Sequence, residues 1–114
     1  MTDSRLSDYL SHMREAAKLA IEFLQEMDKH DFLEDRRTQQ AVVFNMIVLG
    51  EAATKVLNAY PEFAAKASAI PWNSMKGMRN RIAHGYFDID LDIVWDTVKK
   101  DLPVLLTALR ETSA

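Results

Sequence analysis

The chain has 114 residues, of which 48% are hydrophobic and 27% charged, and its net charge is −3. These proportions predict one folded domain, residues 1–114, and exclude a disordered chain. The absence of cysteine excludes disulfides, thiolate metal sites and a cysteine nucleophile. No segment approaches the roughly 18 apolar residues of a membrane span, and the first residues do not form an apolar signal core. We therefore expect a soluble cytoplasmic protein without membrane contact.

The first two predicted helices are long and amphipathic. From about residue 4 to residue 28, apolar side chains recur at intervals of three and four, which is the helical period. A polar stretch at residues 29–31 separates this helix from a second one, which runs from about residue 33 or 35 to residue 59. Residues 42–49 are apolar nearly all round, which predicts burial on more than one side, as in a bundle centre or a subunit interface. Gly50 lies inside this helix, and we expect it to allow close helix packing.

Two further helices and a short helical turn complete the predicted elements. The turn falls within residues 61–69, and the third helix runs from about residue 73 to residue 84 before Gly85 stops it. A last helix runs from about residue 90 or 92 to residue 110, and Pro103 should kink or break it. The sequence shows no strand-length alternation and no repeat. It therefore predicts an all-α, up-and-down bundle of four to five helices.

Basic and acidic residues are unevenly distributed along the chain. Residues 63–87 contain no acid, whereas the rest of the chain has ten basic and seventeen acidic residues. The four bases of this segment are Lys66, Lys76, Arg79 and Arg81. An acid-free basic segment in an acidic chain is a candidate anion site, although chance composition explains the pattern equally well.

The three histidines do not have metal-ligand spacing. His12, His30 and His84 include no pair four residues apart and no HExxH pattern. We interpret His12 and His30 as solvated helix residues. The three glycines stand alone, which excludes a glycine-rich phosphate loop. The sequence thus predicts no metal site and no cofactor.

The densest group of functional side chains lies at the end of the third helix. Arg79 has forked donors for phosphate oxygens, His84 has an imidazole that can pass protons, and Tyr86 adds a hydroxyl. Asn80 precedes His84 by four residues, so it shares its helix face and could orient the imidazole. Such a set could cleave RNA without metal, with His84 as general base or acid and Arg79 stabilising the transition state.

The spacing alone also fits a plain structural alternative, in which Arg81 and His84 interact with the helix dipole. Arg79 and His84 are five residues apart, or about 140° around an ideal helix. They converge if the helix ends near His84, if both side chains bend to one rim, or if two chains place two copies around one cleft. The apolar excess of the second helix offers a surface for such a dimer.

Five blocks of sequence extend the pattern beyond these side chains. The blocks are residues 32–42, 50–53, 70–72, 77–87 and 91–95. Together they closely resemble the HepT-like family of HEPN proteins over nearly the whole chain. That family carries an R-x4-H-x-Y motif, which Arg79, His84 and Tyr86 match here. Asn80 fits the polar residue that HEPN motifs favour directly after the arginine.

The resemblance implies a helical bundle that forms a homodimer with the motif lining a shared cleft. It implies a metal-independent ribonuclease toxin of a type VII-like toxin–antitoxin pair, with Arg79 and His84 as catalytic residues supported by Asn80 and Tyr86. The antitoxin would be an MntA-type nucleotidyltransferase, which can transfer AMP to the motif tyrosine, here Tyr86. The added bulk and negative charge would then enter an anion-binding cleft. The alternatives are a non-catalytic module that binds a nucleotide or partner, and a purely structural helical dimer.

Several residues near the motif have more than one interpretation. Lys76 and Arg81 could bind RNA, or they could form part of a solvated helix face. Glu51 could pair with a base near the cleft, or it could lie at an interface. Trp72 and Trp95 are more typical of the core than of base stacking.

Overall fold

The computed structural model describes residues 4–113, with side chains for all of them except Ser4 and Tyr86. Within this range the chain is helical and contains no strand, which confirms the predicted all-α class. The elements in chain order are α1 (Ser4–Leu24), α2 (Lys29–Glu34), α3 (Arg36–Ala59), α4 (Pro61–Lys66), α5 (Trp72–His84), a 3-10 turn (Tyr86–Asp88), α6 (Leu91–Asp96), a π-helical segment (Thr97–Asp101) and α7 (Leu102–Arg110).

The central element is α3, which packs against both α1 and α5, while α1 also packs against α7. Val42, Met46 and Leu49 of α3 are buried, and they belong to one hydrophobic cluster that extends from the start of α1 to the end of α7. The predicted burial of this apolar segment on more than one side is therefore confirmed. Phe44 is an exception within the segment, because 64% of its surface is exposed.

Contrary to the expectation that no segment approaches the length and composition of a membrane span, α3 passes both criteria within the described chain. Half of its most apolar stretch is buried inside the bundle. The core helix of a soluble protein has the same composition, and the packing of α3 against α1 and α5 accounts for it here.

The segment between the first two predicted helices differs from the prediction. Helix α1 ends at Leu24, and the stretch predicted as a polar break begins α2. Asp28 caps α2, because its Oδ1 accepts a hydrogen bond from the Asp31 N–H at 2.8 Å. The short helix buries Phe32, whose ring lies 5.6 Å from that of Trp95. A single buried residue gives no apolar period, so the sequence did not reveal this helix.

The last predicted helix is interrupted just before Pro103, as expected. Pro103 has no N–H to donate to the carbonyl four residues earlier. The preceding segment is π-helical, and the Leu102 N–H donates to the Thr97 carbonyl, five residues back. The helix thus changes its hydrogen-bond register where proline removes a donor.

Candidate active site

The site begins at the contact between α3 and α5. A Cβ built on Gly50 would lie 2.3 Å from the Arg79 Cβ and 2.9 Å from the Met75 carbonyl oxygen. Real atoms do not approach so closely, so a residue with a side chain would push α5 away from α3. The predicted role of Gly50 in close helix packing is confirmed.

Glu51 binds the guanidinium of Arg79 from the next position on α3. Its Oε2 accepts hydrogen bonds from Arg79 Nε at 2.8 Å and from Arg79 Nη2 at 2.5 Å. The two side chains are 44% and 29% exposed, respectively, so the pair lies at the surface without being fully solvated. The first interpretation of Glu51, a pair with a base near the motif, is confirmed.

Asn80 also binds Arg79. Its Oδ1 accepts a hydrogen bond from Arg79 Nη1 at 2.8 Å. Asn80 therefore contacts Arg79 and not, as expected, His84, although Asn80 and His84 lie on one face of α5. Asn80 is closer to the arginine because its short side chain starts one residue away, whereas His84 is a full helical turn further on.

The guanidinium retains two donors after these contacts. Arginine has five N–H groups, one on Nε and two on each terminal nitrogen. Glu51 and Asn80 occupy the Nε–H, one N–H of Nη2 and one of Nη1. No described residue accepts from the remaining N–H on Nη1 or Nη2. One donor therefore remains on each terminal nitrogen for the oxygens of a phosphate.

His84 is the last residue of α5, and its side chain is exposed. It forms no hydrogen bond or ion pair with any residue in the described part of the chain. Gly85 ends the helix, and its N–H donates to the Arg81 carbonyl at 2.9 Å. An exposed imidazole at a helix end can both approach a substrate and exchange protons with water.

Helical geometry separates the two basic residues predicted to bind RNA. Lys76 precedes Asn80 by four residues and His84 by eight, so all three lie on one side of α5. Lys76 is half-buried and forms no ion pair among the described residues. Arg81 is about 200° from Arg79 around the helix. It therefore lies on the far side of the helix from Arg79, although it precedes His84 by three residues.

Arg81 instead lines an apolar groove between α5 and the C-terminal helices. The groove has a volume of about 710 Å³, and α3 forms its floor. Its apolar lining includes Met46, Leu49, Met75, Ile82, Leu102 and Leu105. Neither Arg79 nor His84 lines it, although Gly85, which lies between His84 and Tyr86, does.

The segment after His84 contains the third motif residue. Tyr86 begins the 3-10 turn, but its hydroxyl lies outside the described part of the structure. The next residue, Phe87, is 98% exposed. Sequence analysis did not single out Phe87, because one aromatic residue in a loop has no pattern of its own.

Three other predictions concern metal sites and aromatic residues. Between residues 4 and 113, no group of three or more histidine, aspartate or glutamate side chains could hold a metal ion. Trp72 is buried, and its indole N–H donates to the Ala67 carbonyl at 3.1 Å, which confirms its place in the core. Trp95 is half-buried and packs against the same core.

Comparisons with known proteins identify the family of the chain. A family model described as "Ribonuclease HepT-like" matches residues 13–112. A relative from Thermococcus cleftensis named "Probable ribonuclease HepT" is 40% identical over 98 residues, which are 86% of each chain. Two relatives, one from Caldanaerobacter subterraneus and one from Methanocaldococcus jannaschii, have names that assign them RNase function provisionally. They are 33% and 32% identical over 103 residues, covering 90% of this chain and 89% and 92% of theirs. No solved structure matches the chain.

Proposed function

Because the chain belongs to the HepT-like ribonuclease family, we propose that it is an endoribonuclease that cleaves RNA in the cytoplasm without a metal ion. The observation that carries this proposal is the fixed guanidinium of Arg79, which keeps two free donors on the same helix as an exposed His84. The first group suits a phosphate and the second a proton transfer. These are the two functions that phosphodiester cleavage requires.

The reaction that fits these groups is attack of a ribose 2′-hydroxyl on the adjacent phosphorus. The bond between phosphorus and the 2′-oxygen forms, and the bond to the 5′-oxygen of the next nucleotide breaks. The products are a 2′,3′-cyclic phosphate and a 5′-hydroxyl. His84 either removes the proton of the 2′-hydroxyl or supplies one to the leaving 5′-oxygen. The free donors of Arg79 bind the non-bridging oxygens, whose charge increases in the transition state.

Two neighbouring side chains support this reaction in different ways. Asn80 holds the guanidinium through its Nη1 donor. Lys76 lies on the same side of α5, where its charge can attract the RNA backbone. Arg81 lies at the groove, so we expect it to contribute less to RNA binding than Lys76.

Cleavage of RNA by the purified protein in the presence of EDTA tests the proposal. We expect Arg79→Ala and His84→Ala each to lower the rate by roughly 100-fold or more, since each removes a group of a kind that contributes about that much. His30→Ala is the matched control, because His30 is an exposed helical histidine outside the motif. An oligonucleotide with 2′-deoxyribose at the cleaved position should remain intact.

Two results would contradict this mechanism. One is full activity of His84→Ala with a native circular dichroism spectrum. The other is a wild-type activity that EDTA abolishes. A folded, unmodified wild type that binds a nucleotide but cleaves no RNA would favour the non-catalytic binding module instead.

We also propose that the protein is a homodimer whose interface includes the exposed stripe of α3. Phe44, Ile47, Val48 and Glu51 are spaced as i, i+3, i+4 and i+7, so they share one face of the helix. Phe44 is exposed, and Ile47 and Val48 are partly buried. The stripe leads directly to the Glu51–Arg79 pair. A second copy bound there by two-fold symmetry would bring two motifs towards one cleft.

The biological context that we propose is a toxin–antitoxin pair, with an MntA-type nucleotidyltransferase as the antitoxin. In that pair the antitoxin would transfer AMP from ATP to the Tyr86 hydroxyl and release pyrophosphate. The added negative charge beside an anion-binding arginine would oppose the binding of RNA.

Co-expression of the chain with such a nucleotidyltransferase, followed by intact-mass measurement, tests the modification. We expect adducts of whole AMP units on the wild type and none on Tyr86→Phe, together with relief of growth arrest. An adduct of equal size on Tyr86→Phe would place the modification at another residue.

A further inference from the structure

We propose that Glu51 is a positioning residue that holds Arg79 ready for the phosphate of the substrate. This inference rests on the proposed function, because it assigns a role within that same site. Glu51 is not part of the R-x4-H-x-Y pattern, and it comes from α3 rather than α5.

The position of Glu51 is difficult to explain as an RNA contact. A carboxylate beside an anion site repels phosphate, and this one is 44% exposed. Its charge therefore weakens the binding of RNA in the ground state. A compensating benefit must come from what the carboxylate does to the guanidinium.

That benefit is orientation. An arginine side chain has several rotatable bonds and loses much conformational freedom when it binds a ligand. In the free protein Glu51 already fixes Nε and Nη2 of Arg79, and Asn80 fixes Nη1. The two remaining donors belong to the two terminal nitrogens. The Arg79 side chain therefore loses its conformational entropy when the protein folds, and not when the substrate binds. Donors that are already in place stabilise a transition state most effectively.

The backbone around Glu51 supports the same role. Gly50 brings α3 so close to α5 that the Arg79 Cβ lies against the α3 backbone. The guanidinium therefore starts beside the next α3 residue, and a carboxylate at position 51 is within direct reach. Gly50 thus allows the close packing of α3 against α5, and the next residue, Glu51, pairs with Arg79.

The experiment compares steady-state cleavage by wild type, Glu51→Ala, Glu51→Met and Glu51→Gln. Ala and Met remove the acceptor, and Met keeps the length of the side chain. Gln keeps a neutral oxygen that accepts the same hydrogen bonds, although charge-assisted bonds are about twice as strong. Glu22→Ala is the matched control, since Glu22 is an exposed glutamate on α1 with no side-chain hydrogen bond to a described residue.

We expect Glu51→Ala and Glu51→Met to lower kcat by about tenfold or more, while KM stays constant or falls because a repulsive charge is gone. Glu51→Gln should recover part of the lost kcat. A purely structural role would instead lower the melting temperature and the active fraction, without this split between kcat and KM. Values of kcat for folded Glu51→Ala and Glu51→Met within twofold of the Glu22→Ala control would overturn the inference. So would a loss confined to KM, or a Glu51→Gln variant as slow as Glu51→Ala.

A spectroscopic measurement separates this inference from the proposed function. The Nε–H signal of Arg79 in an NMR spectrum of the nitrogen-15-labelled protein reports whether the guanidinium is held, and it needs no substrate. We expect slow solvent exchange of this proton in the wild type and fast exchange in Glu51→Ala. A wild type that cleaves no RNA but shows this difference would refute the nuclease while leaving the positioning intact. Equal exchange rates in the two proteins would refute the positioning itself.

Discussion

Gly50 shows how one residue determines the geometry of the site. Because glycine has no side chain, the Arg79 Cβ and the Met75 carbonyl oxygen can approach its backbone. A Cβ added to Gly50 would lie only 2.3 Å from the Arg79 Cβ. Alanine is favoured over glycine in a helix by about 1 kcal/mol. The clash opposes this gain, because a backbone carbonyl moves only if its whole helix moves.

We expect Gly50→Ala to destabilise the protein by a net amount of about 1–2 kcal/mol, because overpacking costs about 1–3 kcal/mol and helix propensity offsets part of it. Gly77→Ala is the matched control in α5, since its added Cβ would meet Arg81 Nη1 at an ordinary 3.7 Å. That variant should be as stable as the wild type or more stable by up to about 1 kcal/mol. Urea unfolding measures both. A Gly50→Ala protein as stable as Gly77→Ala would disprove the close contact.

Asp35 gives the protein a pH-dependent contribution to stability. Its carboxylate accepts hydrogen bonds from the Thr38 N–H at 3.0 Å and the Thr38 hydroxyl at 2.9 Å, at the start of α3. These bonds, with the nearby charge of Arg37, hold the pKa of Asp35 below its ordinary value of 3.8. The folded state therefore binds this proton less readily than the unfolded state. The stabilisation is present above the unfolded-state pKa and disappears as the pH falls through the folded-state pKa.

We expect Asp35→Ala to unfold at lower urea concentration than the wild type at pH 7, and the difference to shrink below about pH 4 as the wild-type carboxylate is protonated. Asp35→Asn is the control, because asparagine caps helices about as well as aspartate and does not titrate. A difference between wild type and Asp35→Ala that stays constant down to pH 3 would show that the carboxylate charge is unimportant.

At the level of single residues, the sequence singled out the motif but did not predict its side-chain contacts. The spacing of Arg79 and His84 alone also fitted a structural role, and the resemblance of the surrounding blocks to the HepT-like family favoured the functional one. The contact of Asn80 with Arg79 rather than His84 depends on side-chain rotamers, which spacing does not specify. Glu51 is 28 residues from Arg79 in sequence. Whether Glu51 pairs with a base or lies only at an interface depends on how α3 packs against α5, which the sequence does not show.

Between elements, Lys99 joins the C-terminal helices to α1. Its Nζ donates to the Leu24 carbonyl at the end of α1 at 2.9 Å, and it lies 4.8 Å from the centre of the Trp95 ring. A cation at a helix C-terminus satisfies a carbonyl that has no partner within its helix and interacts favourably with the dipole. The π-helical segment before Pro103 carries this lysine.

We expect Lys99→Met to destabilise the protein by about 1 kcal/mol, the sum of a helix-terminus charge and a partly exposed cation–π contact. Lys100→Met is the control from the same segment. Lys100 is exposed, and its contact with Asp96 is 4.0 Å long, so its loss should change stability by less than about 0.5 kcal/mol. Thermal unfolding of the two variants in parallel provides the comparison, and equal effects would contradict the role of Lys99.

At the level of helices, the sequence predicted an element more clearly when more of its residues are buried on one apolar face. Helices α1, α3 and α5 each bury several residues at helical intervals, so the sequence showed them clearly. Helix α2 buries Phe32 and depends on the Asp28 cap, which left only a polar stretch for pattern analysis. Pro103 indicated a break in the last helix, but its form as a π-helical segment follows from hydrogen bonds that proline cannot make.

At the scale of the whole molecule, the described residues form two apolar surfaces to which a second copy could bind in the proposed homodimer. One is the α3 stripe with Phe44, which leads to the Glu51–Arg79 pair. The other is the groove between α5 and the C-terminal helices, with Ile93 and Val104 as exposed members of its lining. A partner on the stripe adjoins the Glu51–Arg79 pair, whereas neither Arg79 nor His84 lines the groove. The interface of the proposed homodimer is therefore the stripe.

Paired substitutions decide between the two surfaces. We expect Phe44→Asp to weaken self-association by about 2 kcal/mol or more, roughly 30-fold in Kd, because an aromatic side chain that the proposed dimer would bury becomes a charge. Val104→Asp is the control, since Val104 is 72% exposed and lies outside the stripe. Light scattering coupled to size-exclusion chromatography should show a monomer for the first and a dimer for the second.

RNA cleavage by the same two variants then tests whether the site needs both copies. If two motifs share one cleft, the folded monomer Phe44→Asp should lose activity although Arg79 and His84 are unchanged, while Val104→Asp should stay active. A monomeric Val104→Asp beside a dimeric Phe44→Asp would move the interface to the groove. A fully active monomer would show that one chain completes the site. The His84 imidazole would then reach the phosphate bound by Arg79 of the same α5.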